Sequence, residues 1–502
     1  MVLMKADNLC QPCLWHTWAS TRPEAIALVT PKSEYTWQAL VERIHRLARV
    51  LAAQGVSEGD VVTVVSNNSP DVVMLHLACI QLGAITALTM PQPYQLIQEN
   101  LRVLYGEGQR QFVWSSDSAI SGFSEQDRQR LFTDCQILNL QAPVASSASC
   151  LARRDAGRRD AEQRDTEHRD TEKIASIVFT SGSSGVPKAV AHTQEQHLAS
   201  ARGLLAVLSF QQHDCWLLSL PIYHVSGLSI LYRWLSVGAC LKIGSGQLEQ
   251  DIQGATHASL VATQLKRLLD HRQPLQLSHV LLGGSDVPLP LCQQARDSGI
   301  ETWLGYGITE AASTVTAKPT DGIASAGRVL PNRQVQLRNK RIYIAGDTLA
   351  SGYYYQGLLI PLVDEQGWFD SKDVGQWVDG ELRITGRADN QFISGGENIH
   401  CEEIEAVLNR HPDIRQSLVI PVHSAEYGAR PVALIDSASD QSALQLPLWL
   451  ADKLTRFKIP DAFFPMPQQP QTGIKLSRKA MREWFSDNQN EYQLMNAPEN
   501  VK

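Results

Sequence analysis

At 502 residues the chain is too long for one ordinary core, and its length suggests roughly three domains or subdomains. Its composition, 43% hydrophobic and 19% charged, is ordinary for a soluble globular protein, and the net charge of −7 excludes a general affinity for nucleic acid or anionic membrane. No run of 18 or more apolar residues occurs, so no spanning helix is expected.

The N-terminus lacks a long apolar stretch, and no signal peptide is expected. The nine cysteines are scattered, odd in number and mostly within apolar segments, which suits a reducing cytoplasm. Cys10 and Cys13 form the only close pair. Without a second pair or histidines at zinc spacing, no metal or redox role is expected of it.

Residues 55–91 carry an α/β pattern. Asp60 to Val65 reads as a strand, Asn67-Asn68-Ser69-Pro70 as a turn and helix start, and Val72 to Leu82 as a helix stopped by Gly83. Ala84 to Met90 reads as the next strand, which completes a βαβ unit of the kind that builds parallel sheets.

Residues 153–172 repeat in fives as Arg-Arg-Asp-Ala-Gly, Arg-Arg-Asp-Ala-Glu, Gln-Arg-Asp-Thr-Glu and His-Arg-Asp-Thr-Glu. A period of five matches neither helix nor strand, so no buried stripe can form, and a solvated insertion is expected.

Ile174 to Phe179 reads as a strand. Thr180-Ser181-Gly182-Ser183-Ser184-Gly185-Val186-Pro187-Lys188 follows it. Two glycines let consecutive backbone N–H groups curl around one anion, and the hydroxyls and Lys188 add donors and charge. The stretch reads as a phosphate grip. It is not the P-loop of kinases and GTPases, which needs four residues between its glycines where this loop has two.

From 186 to 320 strands and helices alternate, with strands at Trp216–Leu220, Ala239–Ile243, Val280–Leu282 and Thr302–Leu304. His224 is read at a strand end ahead of a turn at Gly227. An apolar helix over 226–235 carries one arginine, Arg233, between aromatics; a guanidinium there asks for an anionic partner or an interface.

Short strands over 327–386 suggest a small β-rich subdomain, at 335–337, 341–344, 377–378 and 382–384. Residues 386–390 read as a junction. Residues 390–480 read as a small α+β domain with a helix from Cys401 to Arg410, and the tail from Ser486 as polar and frayed.

The phosphate loop resembles that of the adenylate-forming superfamily of acyl- and aryl-CoA ligases, luciferases and peptide-synthetase adenylation domains. Further motifs carry the resemblance through the chain. They are Tyr223-His224 with Gly227, Gly283-Gly284, Gly305-Tyr306-Gly307-Ile308-Thr309-Glu310, the 368–375 segment with Asp373, Arg387 with Asp389, Gly395-Gly396 and Lys475. The usual glycine before the lysine is Ile474 here.

The resemblance implies an α/β fold. A large N-terminal domain of parallel-type sheets with a β-rich subdomain would span 1–386, a hinge 387–390, and a small mobile α+β lid 391–502. It implies ATP, Mg²⁺ and coenzyme A. Thr180 to Gly185, Lys188, Gly283 and Gly305 to Gly307 would hold ATP, with Tyr306 stacking adenine, Thr309 reaching phosphate and Glu310 holding Mg²⁺. Asp373 would accept from the ribose, with Arg387 near ribose or phosphate. His224 and Gly284 would border the acid, Gly395 and Gly396 the thiol tunnel, and Asp389 would be the pivot. Lys475 would bridge the carboxylate and the α-phosphate.

Segments around His192, Trp216, Arg233 and Tyr306–Val315 further resemble the o-succinylbenzoate–CoA ligases of menaquinone biosynthesis. That acid has a ring, a keto group and a second carboxylate, for which Arg233 and Thr314 are the candidates, with Ser226 beside them. Another aryl- or acyl-CoA ligase, a non-catalytic nucleotide sensor, and a structural ion pair for Arg233 stay open. Small-molecule partners follow. Homo-oligomers are common in the family, and the sequence leaves the oligomeric state open.

Overall fold

The helix Pro70–Leu82 starts where capping chemistry demands: the Ser69 hydroxyl accepts from the Val72 N–H, and Pro70 occupies the first turn. It ends at Gly83, whose left-handed φ of 72° needs no Cβ. The strands on either side, Val61–Val65 and Ile85–Thr89, pair in parallel with Val61 opposite Ile85, so the expected βαβ unit forms. In this computed structural model the described residues are 13–143, 173–180, 187–271, 273–283, 287–323, 325–394, 397–424, 427–437, 445–451, 453–467 and 478–492. The pentad repeat lies outside them.

Two large sheets carry the body of the protein. One has eight strands and contains the βαβ unit, with Ile174–Thr180 parallel to Ile85–Thr89 and Lys188–Thr193 antiparallel beyond it. The other has nine and is largely parallel through its centre, where Cys215–Leu217, His257–Leu260, His279–Gly283 and Glu301–Ile308 lie side by side. An apolar core shared by both sheets packs between them, centred on the helices Trp37–Ala53, Pro70–Leu82 and Val225–Val237. Trp37 and Trp234 stack within it, ring centroids 5.1 Å apart.

A four-stranded antiparallel sheet follows, built from Arg333–Arg338, Arg341–Gly346, Phe369–Val378 and Glu381–Arg387. This is the expected β-rich subdomain, with one departure. The hairpin Gly352–Tyr355 and Leu358–Ile360 leaves it and extends the eight-stranded sheet by pairing with Lys188–Thr193. The small C-terminal part has its own core, with the helix Cys401–Leu408 and the strands Ile414–Ser424, Gly428–Ser437 and Ala462–Pro465.

Three expectations are corrected. The strand read at Thr302–Leu304 is Glu301–Ile308: it continues through Gly305 and Gly307 because Ser313–Pro319 pairs alongside it, with a bulge after Tyr306. Gly227 makes no turn; it lies in the helix Val225–Val237, where a Cβ would stand 2.1 Å from the Pro221 carbonyl oxygen. The region from Ser486 to Tyr492 belongs to the helix Arg478–Tyr492, which buries Met481 and Phe485 against the small sheet.

Candidate active site

The phosphate-loop flanks are fixed by register: Thr180 stands opposite Lys188 across an antiparallel pair. They sit at the carboxyl end of the parallel strands, the edge where open α/β sheets bind ligands. Lys188 is exposed, its ammonium 4.9 Å from the centre of the Tyr353 ring.

Tyr353 was not singled out by any motif. It stands on the strand opposite Val190, and its hydroxyl donates to Glu310 Oε1 at 3.1 Å. Burial and the Glu310 carboxylate hold its phenol above the usual range. One ring thus touches both the loop lysine and the acidic residue expected to hold a cation. Glu310 lies in a 3₁₀ turn with Thr309, anchored by the Ala350 N–H donating to its carbonyl at 2.8 Å. A carboxylate and a hydroxyl are hard oxygen donors, the set that Mg²⁺ takes alongside phosphate, so the residues fit that ion.

Tyr306, Asp373 and Arg387 converge. The Tyr306 hydroxyl donates to Asp373 Oδ2 at 2.5 Å, and Arg387 pairs with Asp373 Oδ1 at 3.1 Å. Asp373 and Arg387 are cross-strand partners, which places that pair by register alone. Asp373 is 5% exposed. Burial first, and then its carboxylate, hold the Tyr306 phenol well above its ordinary value. Gly305 and Gly307 flank Tyr306, and a Cβ on Gly307 would lie 1.9 Å from the Ser313 carbonyl oxygen. Gly283 pairs with Gly305 at the exposed end of its strand.

On the other side, His224 caps the helix Val225–Val237, and burial holds its imidazole below the ordinary value. The segment leading to it is tied across the core by Asn68, which was read only as a turn residue. Its side chain donates to the Leu218 and Leu220 carbonyls at 3.0 and 2.9 Å and accepts from the Ile222 N–H at 2.8 Å. Ser226 lies in the first turn of the same helix.

Arg233, two turns further on, is 2% exposed. It donates to Ser259 Oγ at 3.2 Å and Thr314 Oγ1 at 3.4 Å, and its guanidinium lies 5.1 Å from the centre of the Trp216 ring. Its Nε has no partner, and no carboxylate among the described residues pairs with it. Burial, and secondarily the charge of Arg333, push it down to about 9. The structure thus brings the predicted Arg233 and Thr314 together across 81 residues of chain.

Ser181, Gly182, Ser183, Ser184, Gly185, Gly284, Gly395, Gly396 and Lys475 lie outside the described residues, as does the side chain of Asp389. The backbone at 388–390 forms the 3₁₀ turn that follows Arg387.

The AMP-binding enzyme family matches residues 15–354, and the AMP-binding enzyme C-terminal domain matches 403–475. The 2-succinylbenzoate–CoA ligase of Salmonella typhimurium is 40% identical over 476 residues, which cover 94% of this chain and 98% of that protein. Among solved structures, a single-residue variant of E. coli MenE with bound OSB-AMS has a TM-score of 0.81 and 38% identity, covering 95% of this chain and 99% of the other. The Bacillus subtilis o-succinylbenzoate coenzyme A synthetase, in complex with ATP and magnesium ion, has a TM-score of 0.77 and 26% identity over 94% of this chain and 99% of its own. With its two large sheets, the converging Tyr306, Asp373 and Arg387, and these matches along nearly its whole length, the chain belongs to the AMP-binding enzyme family.

Proposed function

We propose that this chain joins o-succinylbenzoate to coenzyme A, with ATP split to AMP and pyrophosphate. The observation that carries the choice of acid is Arg233: a buried cation lacking any carboxylate partner among the described residues, beside Thr314 and over Trp216. A buried guanidinium is stable only when matched, and a second carboxylate on an aromatic acid matches it in charge and shape. The 2-succinylbenzoate–CoA ligases that this chain resembles support the same reading.

The acid carboxylate attacks the α-phosphorus of ATP, so the protein supplies no nucleophile. It holds two anions together and offsets the charge that builds up between them. Lys188 and the loop from Thr180 to Gly185 would hold the leaving phosphates, and Tyr306, Asp373 and Arg387 the adenosine. His224 would border the acid, and Lys475 would bridge the carboxylate and the α-phosphate. Magnesium bound at Glu310 would neutralise charge on the phosphates. Thioester formation follows when the coenzyme A thiol attacks the acyl-adenylate.

The division into 1–386, a hinge at 387–390 and a lid from 391 belongs to the same reading; the separate family matches over 15–354 and 403–475 support it. Movement about Asp389 would withdraw Lys475 and bring Gly395 and Gly396 to the thiol. The reaction is placed in the cytoplasm, where ATP and coenzyme A are supplied, with small molecules as partners.

The test is pyrophosphate release with o-succinylbenzoate, benzoate, medium-chain fatty acids and amino acids, with and without coenzyme A. Release with o-succinylbenzoate and formation of its coenzyme A thioester is the expected result. Release with a different acid alone would keep the ligase chemistry and reject the acid assigned here.

A further inference from the structure

Behind Arg233 lies a second buried guanidinium that no motif marks. Arg333 opens the strand Arg333–Arg338 and is 6% exposed. It donates to the Pro331 carbonyl at 2.8 Å, the Ser200 carbonyl at 2.9 Å and Ser200 Oγ at 2.8 Å. Its Nε has no partner, and among the described residues no carboxylate pairs with it. Burial pushes it down to about 9. Among the described residues, carbonyl and hydroxyl dipoles hold this charge.

The contacts lead directly to the acid side. Ser200 passes its own proton on, donating to the Ala312 carbonyl at 2.6 Å. Ala312 and Ser313 adopt φ of 51° and 91°, the left-handed region that non-glycine residues enter only when their surroundings force them. Thr314, the next residue, meets Arg233. The helix Gln194–Leu205 is opened to admit Arg333: at Gly203 a Cβ would stand 2.1 Å from its Nη1 and 2.5 Å from the Pro331 carbonyl oxygen. A neutral donor could tie Ser200 to Pro331. A buried, uncompensated cation beside another one is a costly way to do only that.

We propose that Arg333 is a positioning residue for the acid pocket, clamping Ser200 and the Ala312–Ser313 turn so that Thr314 and Arg233 face the second carboxylate of a dianionic acid, and adding its own positive charge behind them. The proposal rests on the o-succinylbenzoate reading above.

The experiment compares kcat/KM for o-succinylbenzoate and for 4-oxo-4-phenylbutanoate, the same acid without its ring carboxylate. Arg333→Met is expected to lower the preference for the diacid about tenfold, by raising its KM while the monoacid changes little. Arg333→Lys, which keeps the charge, should recover most of that preference. Ser200→Ala keeps Arg333 but frees the turn, and should lower the preference about threefold. Equal losses with both acids, or an unchanged preference, would overturn the proposal; if Arg333→Met does not fold, Ser200→Ala decides by the same criterion. A native enzyme that prefers neither acid would instead remove the o-succinylbenzoate reading beneath it.

Discussion

The two halves of the site treat charge in opposite ways. Among the residues expected to hold the nucleotide, Asp373 pairs with Tyr306 and Arg387, Glu310 accepts from Tyr353, and Lys188 lies against the Tyr353 ring. On the acid side Arg233 and Arg333 are both buried and neither pairs with a described carboxylate. Under the proposed function, the described nucleotide groups are already paired with one another, whereas the acid-side cations would be matched by what they bind. Preorganised groups favour catalysis, and an unmatched buried charge favours selection, because a ligand lacking the complementary charge leaves it unmatched.

That contrast can be broken by substitution. Lys475→Ala should lower adenylation about a thousandfold, the scale of losing one preorganised electrostatic group, while thioester formation from supplied acyl-adenylate continues. Single-turnover assays of each half-reaction decide it, and equal loss in both would show that one lysine does not separate the steps.

Arg233→Met should lower kcat/KM for the diacid about a hundredfold. Its melting temperature should stay level or rise, because a lone buried cation is removed. Asp373→Ala is the opposite case: about a tenfold higher KM for ATP and a lower melting temperature, because a paired Arg387 and a buried Tyr306 lose their acceptor. If both variants shifted stability in the same direction, the contrast between the halves would not hold.

The smallest effect is in pH. Burial, and secondarily the charge of Arg333, lower the proton affinity of Arg233 in the folded protein, so it stays charged through neutral pH and any loss of its charge falls in the alkaline range. The KM for the diacid should therefore be level around neutral pH and rise only on the alkaline side, with the monoacid nearly flat. Initial-rate measurements with both acids between pH 7 and 10 check this.

Much of the fold and of the expected nucleotide half was legible because their signals are local. Ser69, Pro70 and Gly83 bound one helix by capping chemistry, and Tyr306 through Glu310 form one short run. Arg233 was legible as a charge in an apolar helix; Thr314 was named with it as a candidate for the same carboxylate, and the two side chains meet in the structure. Tyr353, Asn68 and Arg333 escaped because their meaning comes from distant pairing: Tyr353 matters through Glu310 and Lys188, and Asn68 through residues 150 or more positions away. Gly227 was misread as a turn because a glycine chosen for close helix packing looks the same in sequence as one chosen for φ.

The hairpin at Gly352–Ile360 also sets a timetable for synthesis. Lys188–Thr193 is flanked on one side by Ile174–Thr180 and on the other by Gly352–Tyr355, which leaves the ribosome some 160 residues later. Until then the strand that carries Lys188 is a bare sheet edge, open to pairing with other chains. A chain halted before residue 352 would hold the loop lysine without the tyrosine ring above it, on a strand whose outer edge is unpaired.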